Sequence, residues 1–303
     1  DWSSDVCSSD LKPPAFDTIA REGTAFSDAV APTPETGPSH SAMFTGVHPL
    51  RSGVLSNADR LEDGWVTIAD RVAPEGWTTA AFVSSWAVST RSGLSQGFLV
   101  FDDDFNPWVR GISRSRPMEL LLRGIMASGH PQWIPWMLER SGAQTVDLAL
   151  DWLGSNGDRA FVLWVHLFEP HAPYEGPDAT VDHRRLLDDP SHVYTEAESA
   201  ELRRLYAKEV EAADAQVARL IAAVDPARTM VVIAGDHGEM LGEHGVQFHH
   251  HGLWDEVVRV PLAIRVPGEA PSVVDAQVRL LDIRSEEHTS ELQSPYVISY
   301  AVF

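Results

Sequence analysis

An α/β fold, with parallel strands joined by crossover helices, is what this sequence predicts, and three observations predict it. Short β-rich runs alternate along the chain with longer amphipathic stretches. Four of those runs, at 78–84, 159–167, 229–235 and 260–268, are apolar almost throughout, as buried strands are. The stretch 195–223 carries Leu202, Leu205, Val210, Ala213, Val217, Leu220 and Ile221 near one face at a spacing of 3.6, so it reads as a long helix covering the sheet. No internal repeat, low-complexity tract or clear linker interrupts the pattern, which makes a single domain the economical reading.

Taken in order, 16–22 reads as a short helix stopped by Gly23, and 25–30 as a short extended run. A Pro- and Thr-rich loop follows at 32–38. It sets Thr36 just before a helix whose first residues are Pro38 and Ser39 and which Gly46 ends. Helices are expected at 65–73, 117–127, 141–154 and 195–223. The segment 102–140, with weak periodicity and several Trp and Pro, reads as an insertion over the site.

The chain has 303 residues, 23 Lys and Arg against 44 Asp and Glu, and a formal net charge of −21. That balance offers no basic footprint for a phosphate backbone and argues against a nucleic-acid binder. No apolar run approaches the roughly 20 residues of a membrane span. Both ends are expected to be foreign to the natural protein. DWSSDVCSSDL at 1–11 and RSEEHTSELQS with ISYAVF at 284–303 match translations of a common sequencing adapter. Residues 12–283 are therefore taken as the natural part, and the ends are expected to pack poorly. Cys7 falls in the first end, so the natural part contains no cysteine, and thiol nucleophiles, disulfides and thiolate zinc sites are excluded.

In open α/β sheets, functional groups gather beyond the carboxyl ends of the strands. After 229–235 comes GDHGEMLGEHG, where Asp236 and His237 can reach a divalent cation, although DHG is also a respectable turn string. After 159–167 comes FEPHAPYEGP, in which Pro170 and Pro173 hold His171 on a stiff loop. The tract at 248–252, FHHHG, offers His249 and His251, with His250 left aside. At Thr36, the positive end of the following helix would favour an anionic ester and an ionised hydroxyl. The bland reading of Thr36 is an N-cap.

These segments, in this order, resemble the sulfatase family of the alkaline phosphatase superfamily. The resemblance rests on PAFDTIAREGTAFSDAVA, TGPSHSAMFTGVHPLRSGV, LSQGFLVFDD, LWVHLFEPHAPYEGP, YAKEVEAADAQVARL and VVIAGDHGEMLGEHG, followed by HGLWDEVVRVPLAIRVPG. It implies a three-layer α/β/α sandwich with a mostly parallel central sheet, and a divalent metal, calcium by family habit with zinc or manganese as alternatives. It carries the nucleophile onto Thr36, metal ligation onto Asp236 and His237, and leaving-group or substrate-oxygen contact onto His171. His251 takes the late-loop catalytic position, and His40 and His249 are expected to contact substrate. Asp214 is read as structural support and Arg51 as a packing or salt-bridge residue.

Two departures qualify the resemblance. Sulfatases of the common type carry Cys or Ser, then any residue, Pro, any residue and Arg, and oxidise the first to a formylglycine aldehyde. Here the five positions are Thr36, Gly37, Pro38, Ser39 and His40. Oxidised threonine would give a ketone, so formylglycine chemistry is not expected, and direct attack by Thr36 on a tetrahedral ester centre replaces it. The second departure is length: the family's first strand, with its pair of Asp ligands, and its C-terminal subdomain are expected to be missing, so the 303-residue chain is expected to bind metal weakly and turn over little.

The function expected from these residues is metal-dependent hydrolysis of sulfate, phosphate or phosphonate esters of a small molecule, glycan or lipid. The alternatives are a transferase of phosphoryl-linked head groups and an inactive binding homologue.

Overall fold

The computed structural model describes residues 13–105, 117, 120, 139–189, 191–245, 248–250, 252–286 and 297–302. Helix α1 (Pro14–Glu22) leads into strand β1 (Thr24–Val30), followed by helices α2 (Thr36–Thr45), α3 (Pro49–Ser52) and α4 (Ile68–Val72). Strands β2 (Thr78–Val83) and β3 (Val100–Asp102), helix α5 (Gly142–Asn156), strand β4 (Phe161–His166), and helices α6 (His183–Leu187) and α7 (Glu196–Ala222) come next. Strand β5 (Thr229–Ala234), helix α8 (Asp255–Val258), strands β6 (Arg259–Arg265), β7 (Ser272–Val274) and β8 (Val278–Arg279), helix α9 (Ile283–Glu286) and strand β9 (Val297–Val302) complete the order.

The strands form one sheet in the order β3-β2-β4-β9-β5-β6-β1-β7, with β8 beside β1. Only β6 runs against its neighbours, pairing antiparallel with β5 and β1; every other pairing is parallel. The mostly parallel sheet expected from the sequence is therefore present. Strand periodicity of two divides its side chains between two cores. Phe161, Leu163, Val165, Val231 and Ile233 pack with Phe16, Ile19, Val146, Ala149, Ala213 and Val217 of α1, α5 and α7. Val162, Trp164, Val232 and Ala234 pack on the other face with Met43 and Phe44 of α2, Ile68 and Val72 of α4, and Leu280. Helices on both faces of one sheet give the three layers.

Most element boundaries agree with the expectations within a few residues. Strands β1, β2, β4, β5 and β6 and helices α1, α5 and α7 fall where the patterning puts them. The expected helix at 65–73 contracts to α4, because Thr67 caps it, accepting from the Asp70 N–H while Asp70 reaches back to the Thr67 N–H. The expected helix at 117–127 and the insertion at 102–140 lie largely outside the described residues. Helix α2 starts at Thr36 itself; Pro38 is tolerated there because first-turn N–H groups lack intrahelical partners.

The backbone of Val297–Val302, within the end expected to be foreign, forms β9 and pairs along its length with both β4 and β5. Four of its six residues, Val297, Ile298, Tyr300 and Val302, are of high β propensity, and the segment meets two parallel strand edges. Residues 1–12 and 287–296 lie outside the described residues.

Helix α7 also sets up a titration. Glu209 accepts the Glu175 N–H at 3.0 Å. Burial raises its pKa from the ordinary 4.5 to about 8, with Glu169, Glu175 and Glu239 adding to the shift against that hydrogen bond. A raised folded-state pKa means that its contribution to stability is complete below the unfolded value and is lost as pH climbs through the folded one. The melting temperature is therefore expected to fall between pH 4.5 and pH 8. Glu209→Gln, which keeps the acceptor, should flatten that decline, recovering on the order of 3 kcal/mol at the alkaline end. Calorimetry across this range checks it; equal slopes for both proteins would mean that Glu209 titrates normally.

Candidate active site

Three loops that follow strands meet at one end of the sheet. The turn after β1 delivers Thr36 as the first residue of α2, 7% exposed. The turn after β5 delivers Asp236 and His237, and the loop after β4 delivers His171. The Ser39 hydroxyl donates to the Asp236 carbonyl at 2.6 Å and ties α2 to the β5 turn. Gly238 then passes so close to α8 that a Cβ there would lie 2.1 Å from the Glu256 carbonyl oxygen, so no larger residue fits without moving the turn.

Within this frame Thr36 Oγ1 lies 3.2 Å from His237 Nε2. The His237 Nδ1 is 2.9 Å from the Gly238 carbonyl, which can only accept, so Nδ1 carries the proton and Nε2 presents a lone pair to the Thr36 hydroxyl. The same logic applies to His171, whose Nδ1 meets the Ala172 carbonyl, and to His40, whose Nδ1 is 2.8 Å from the Thr36 carbonyl. Asp236, 4% exposed, points Oδ2 to within 3.8 Å of His237 Nε2 and 3.5 Å of His40 Nδ1.

Thr36, His171, Asp236 and His237 line one cavity of about 180 Å³. His166 and Glu239 line it too, and Phe16, Tyr206 and Val210 supply apolar wall. The four side chains expected to share one pocket are thus brought together. Burial, with the neighbouring His249 and His237, lowers the His171 pKa to about 4 against the pull of Glu239. Glu239 is held down to about 2: its burial is outweighed by a hydrogen bond from His249 and the nearby imidazoles. His249 sits at the rim, its Nδ1 3.4 Å from Glu239 Oε1 and its ring 5.2 Å from that of His171.

Several expectations change. His40, expected to contact substrate, is fully buried behind Thr36 against Trp164 and does not line the cavity. An i to i+4 position on a helix seated on the sheet turns inward. The N-terminus of α2 offers fewer free N–H groups than expected. Gly37 donates to Asn57 Oδ1 at 2.7 Å, Pro38 has none, and Ser39 donates to the Glu35 carbonyl. Thr36 is the first helical residue and not the N-cap, which is Glu35. His251 lies outside the described residues. Asp214 is structural, as expected: its two oxygens accept the Ala15 and Phe16 N–H groups at 2.9 and 3.0 Å and cap α1. Arg51 is exposed and makes no ion pair among the described residues.

His166, Glu239, Asn57 and His250 were missed. The ring of His250, set aside within the His tract, lies 4.5 Å from that of His237. His166 could have been found, because the alternation in FVLWVH puts it on the same face as Trp164, at the strand's carboxyl end.

Residues 6–286 match the family model for Sulfatase. The chain belongs to the sulfatase family. This sulfatase-family chain is 25% identical over 289 residues to the ulvan-active sulfatase of Formosa agariphila, covering 85% of itself and 52% of that protein. It spans between half and two thirds of the length of the curated relatives it resembles. Its fold is similar to the phosphonate monoester hydrolase of Agrobacterium radiobacter, with TM-score 0.69 and 19% identity over 93% of this chain and 68% of that one. It is also similar to a structure solved with its substrate D-glucosamine-2-N,6-O-disulfate, with TM-score 0.67 and 19% identity over 94% of this chain and 74% of that one. Among the described residues, no helix is long and apolar enough to cross a membrane.

Proposed function

We propose that this sulfatase-family protein hydrolyses sulfate, phosphate or phosphonate esters by direct attack of the Thr36 hydroxyl on the sulfur or phosphorus. The observation that carries the reading is the 3.2 Å contact between Thr36 Oγ1 and the His237 Nε2 lone pair, at the floor of a cavity that also holds Asp236 and His171. A threonine hydroxyl is a weak nucleophile until a base or a cation lowers its effective pKa. Both means are at hand in His237 and Asp236.

In the first step the Thr36 oxygen bonds to the tetrahedral centre, its proton passes to His237 Nε2, and the bond to the alcohol oxygen breaks, the alkoxide taking a proton from solvent. In the second step water attacks the adduct and loses a proton, the bond to the Thr36 oxygen breaks, and Thr36 regains its proton from His237. His171 is neutral at pH 7 and its Nδ1–H is committed to the Ala172 carbonyl, so it presents an acceptor at Nε2. That suits it to take the proton of the attacking water. Leaving-group protonation, the role implied by the resemblance, would require it to gain a proton first.

The oxygens of Asp236 and Thr36 fit a divalent cation, while His237, whose one free lone pair serves Thr36, stands here as the base and not as the metal ligand that the resemblance implies. Such a cation would supply Lewis acidity towards the ester oxygens. Formylglycine does not fit, since position 36 is threonine and His40 stands where the family motif has arginine. The ester's organic half is proposed to be a small molecule or glycan, in keeping with the ulvan-active relative and the structure bound to D-glucosamine-2-N,6-O-disulfate.

Acid quenching during turnover of an aryl sulfate or an aryl phosphonate, followed by mass spectrometry, tests the reading. The peptide containing Thr36 should carry the sulfuryl or phosphonyl group. Steady turnover with an unmodified peptide would remove Thr36 as the nucleophile.

A further inference from the structure

Next to Asp236 lie two imidazoles that the ester chemistry does not use, one of them at the lining of the same cavity. His40 is fully buried, its Nδ1 donates to the Thr36 carbonyl, and its Nε2 has no hydrogen-bond partner among the described residues. His166, the last residue of β4, is 3% exposed, and its Nδ1 has no partner among the described residues either. The two rings lie 5.1 Å apart. One potential ligand atom from each of His40, His166 and Asp236 lies within 4.8 Å of those of the other two.

Leaving a buried polar atom unsatisfied costs about 1–3 kcal/mol, and here two imidazole nitrogens bear that cost beside one carboxylate. An ion pair between His40 and Asp236 would not remove it, because it would engage Nδ1 and leave both orphaned nitrogens as they are. A cation would satisfy them together.

We propose that His40, His166 and Asp236 form a binding site for a divalent transition metal of the zinc class. Two imidazoles and a carboxylate are a zinc donor set, with a fourth position left for water or a ligand oxygen. The His40 Nδ1–H held by a backbone carbonyl is the outer contact that ligating imidazoles make; it fixes the tautomer and frees Nε2. Calcium takes six to eight oxygen ligands, and this pocket has one carboxylate. Zinc bonds of about 2.0–2.1 Å set ligand atoms roughly 3.3 Å apart, so ligand atoms that lie within 4.8 Å of one another draw together by up to about 1.5 Å on binding. The site shares Asp236 with the proposed ester chemistry and rests on that residue being a ligand, but it names a different metal class and two ligands, His40 and His166, that the resemblance does not supply. It also runs against the weak metal binding expected from the sequence, since two imidazoles here supply ligands beside Asp236.

The test titrates the 303-residue chain, freed of metal by a chelator, with zinc while long-range ¹H–¹⁵N spectra report the imidazole nitrogens. One equivalent of zinc should shift His40 Nε2 and a ring nitrogen of His166, leave His171, His249 and His250 in place, and calcium should shift none of them. His40→Gln and His166→Gln should each abolish stoichiometric binding while circular dichroism stays unchanged. If either variant is unfolded, the spectra of the unaltered chain decide. Shifts confined to His171, His249 and His250, or no shifts at all, would overturn the site. Trapping of the adduct on Thr36 involves neither zinc nor these spectra, so the two readings can fail separately.

Discussion

Thr36→Val is expected to lower kcat/KM for an ester substrate by about 10³-fold or more while leaving the melting temperature within a degree or two, because removing a nucleophile costs transition-state stabilisation that neighbouring groups recover only in part. Valine keeps the branched shape of a residue that is 7% exposed and first in its helix, so packing is preserved and only the hydroxyl is lost. Thr36→Ser keeps the hydroxyl at 3.2 Å reach of His237 Nε2 and should retain most of the rate. The pair of variants separates chemistry from structure. A helix-start role would make serine and valine differ in stability, whereas nucleophilic attack makes them differ in turnover. Equal turnover by the valine variant and the parent would end the proposal for Thr36 and return the residue to a structural part.

Much of this arrangement was legible in the sequence because it is carried by period and by order. The mainly apolar runs that became β2, β4, β5 and β6 needed no tertiary information, since a strand covered on both faces is apolar over most of its length. Asp236, His237 and His171 could be singled out because polar residues directly after such runs have to emerge at one end of the sheet. What was not legible depends on which way a side chain turns once helix and sheet have met. His40 reads like a polar group beside the nucleophile, yet one helical turn on from Thr36 it faces Trp164. Glu239 reads like part of a glycine-rich turn, yet it ends buried, accepting the Ala172 N–H at 3.0 Å. The strand β9 depends on two edges, β4 and β5, that are more than sixty residues apart in the chain, and no local pattern announces such a slot.

Trp164→Ala is expected to have the largest effect on stability. The side chain is fully buried at the centre of the core that seats α2, with its ring 4.6 Å from Phe44, 5.4 Å from His40 and about equally far from Phe98 and Phe101 at 6.1 Å. Truncating a buried Trp to Ala costs about 3–5 kcal/mol through lost transfer energy and the cavity left behind. Its Nε1–H is itself buried without a hydrogen-bond partner among the described residues, so the deletion also relieves a penalty of about 1 kcal/mol or more. The net cost should therefore fall near the lower end, roughly 3 kcal/mol, or a fall in melting temperature of about 6–12 °C for a chain of this size. Trp164→Phe isolates the two contributions: it keeps most of the aromatic volume and discards the unpartnered N–H, and should cost less than about 1.5 kcal/mol. Phenylalanine proving as damaging as alanine would mean that the indole N–H has a partner that matters. The two variants also bear on the active site, because Phe44 and His40 hold α2 to the sheet through this one ring, and α2 begins at Thr36. Alanine at 164 should consequently loosen the position of the Thr36 hydroxyl relative to His237 and lower kcat at temperatures well below the melting point, whereas phenylalanine should not.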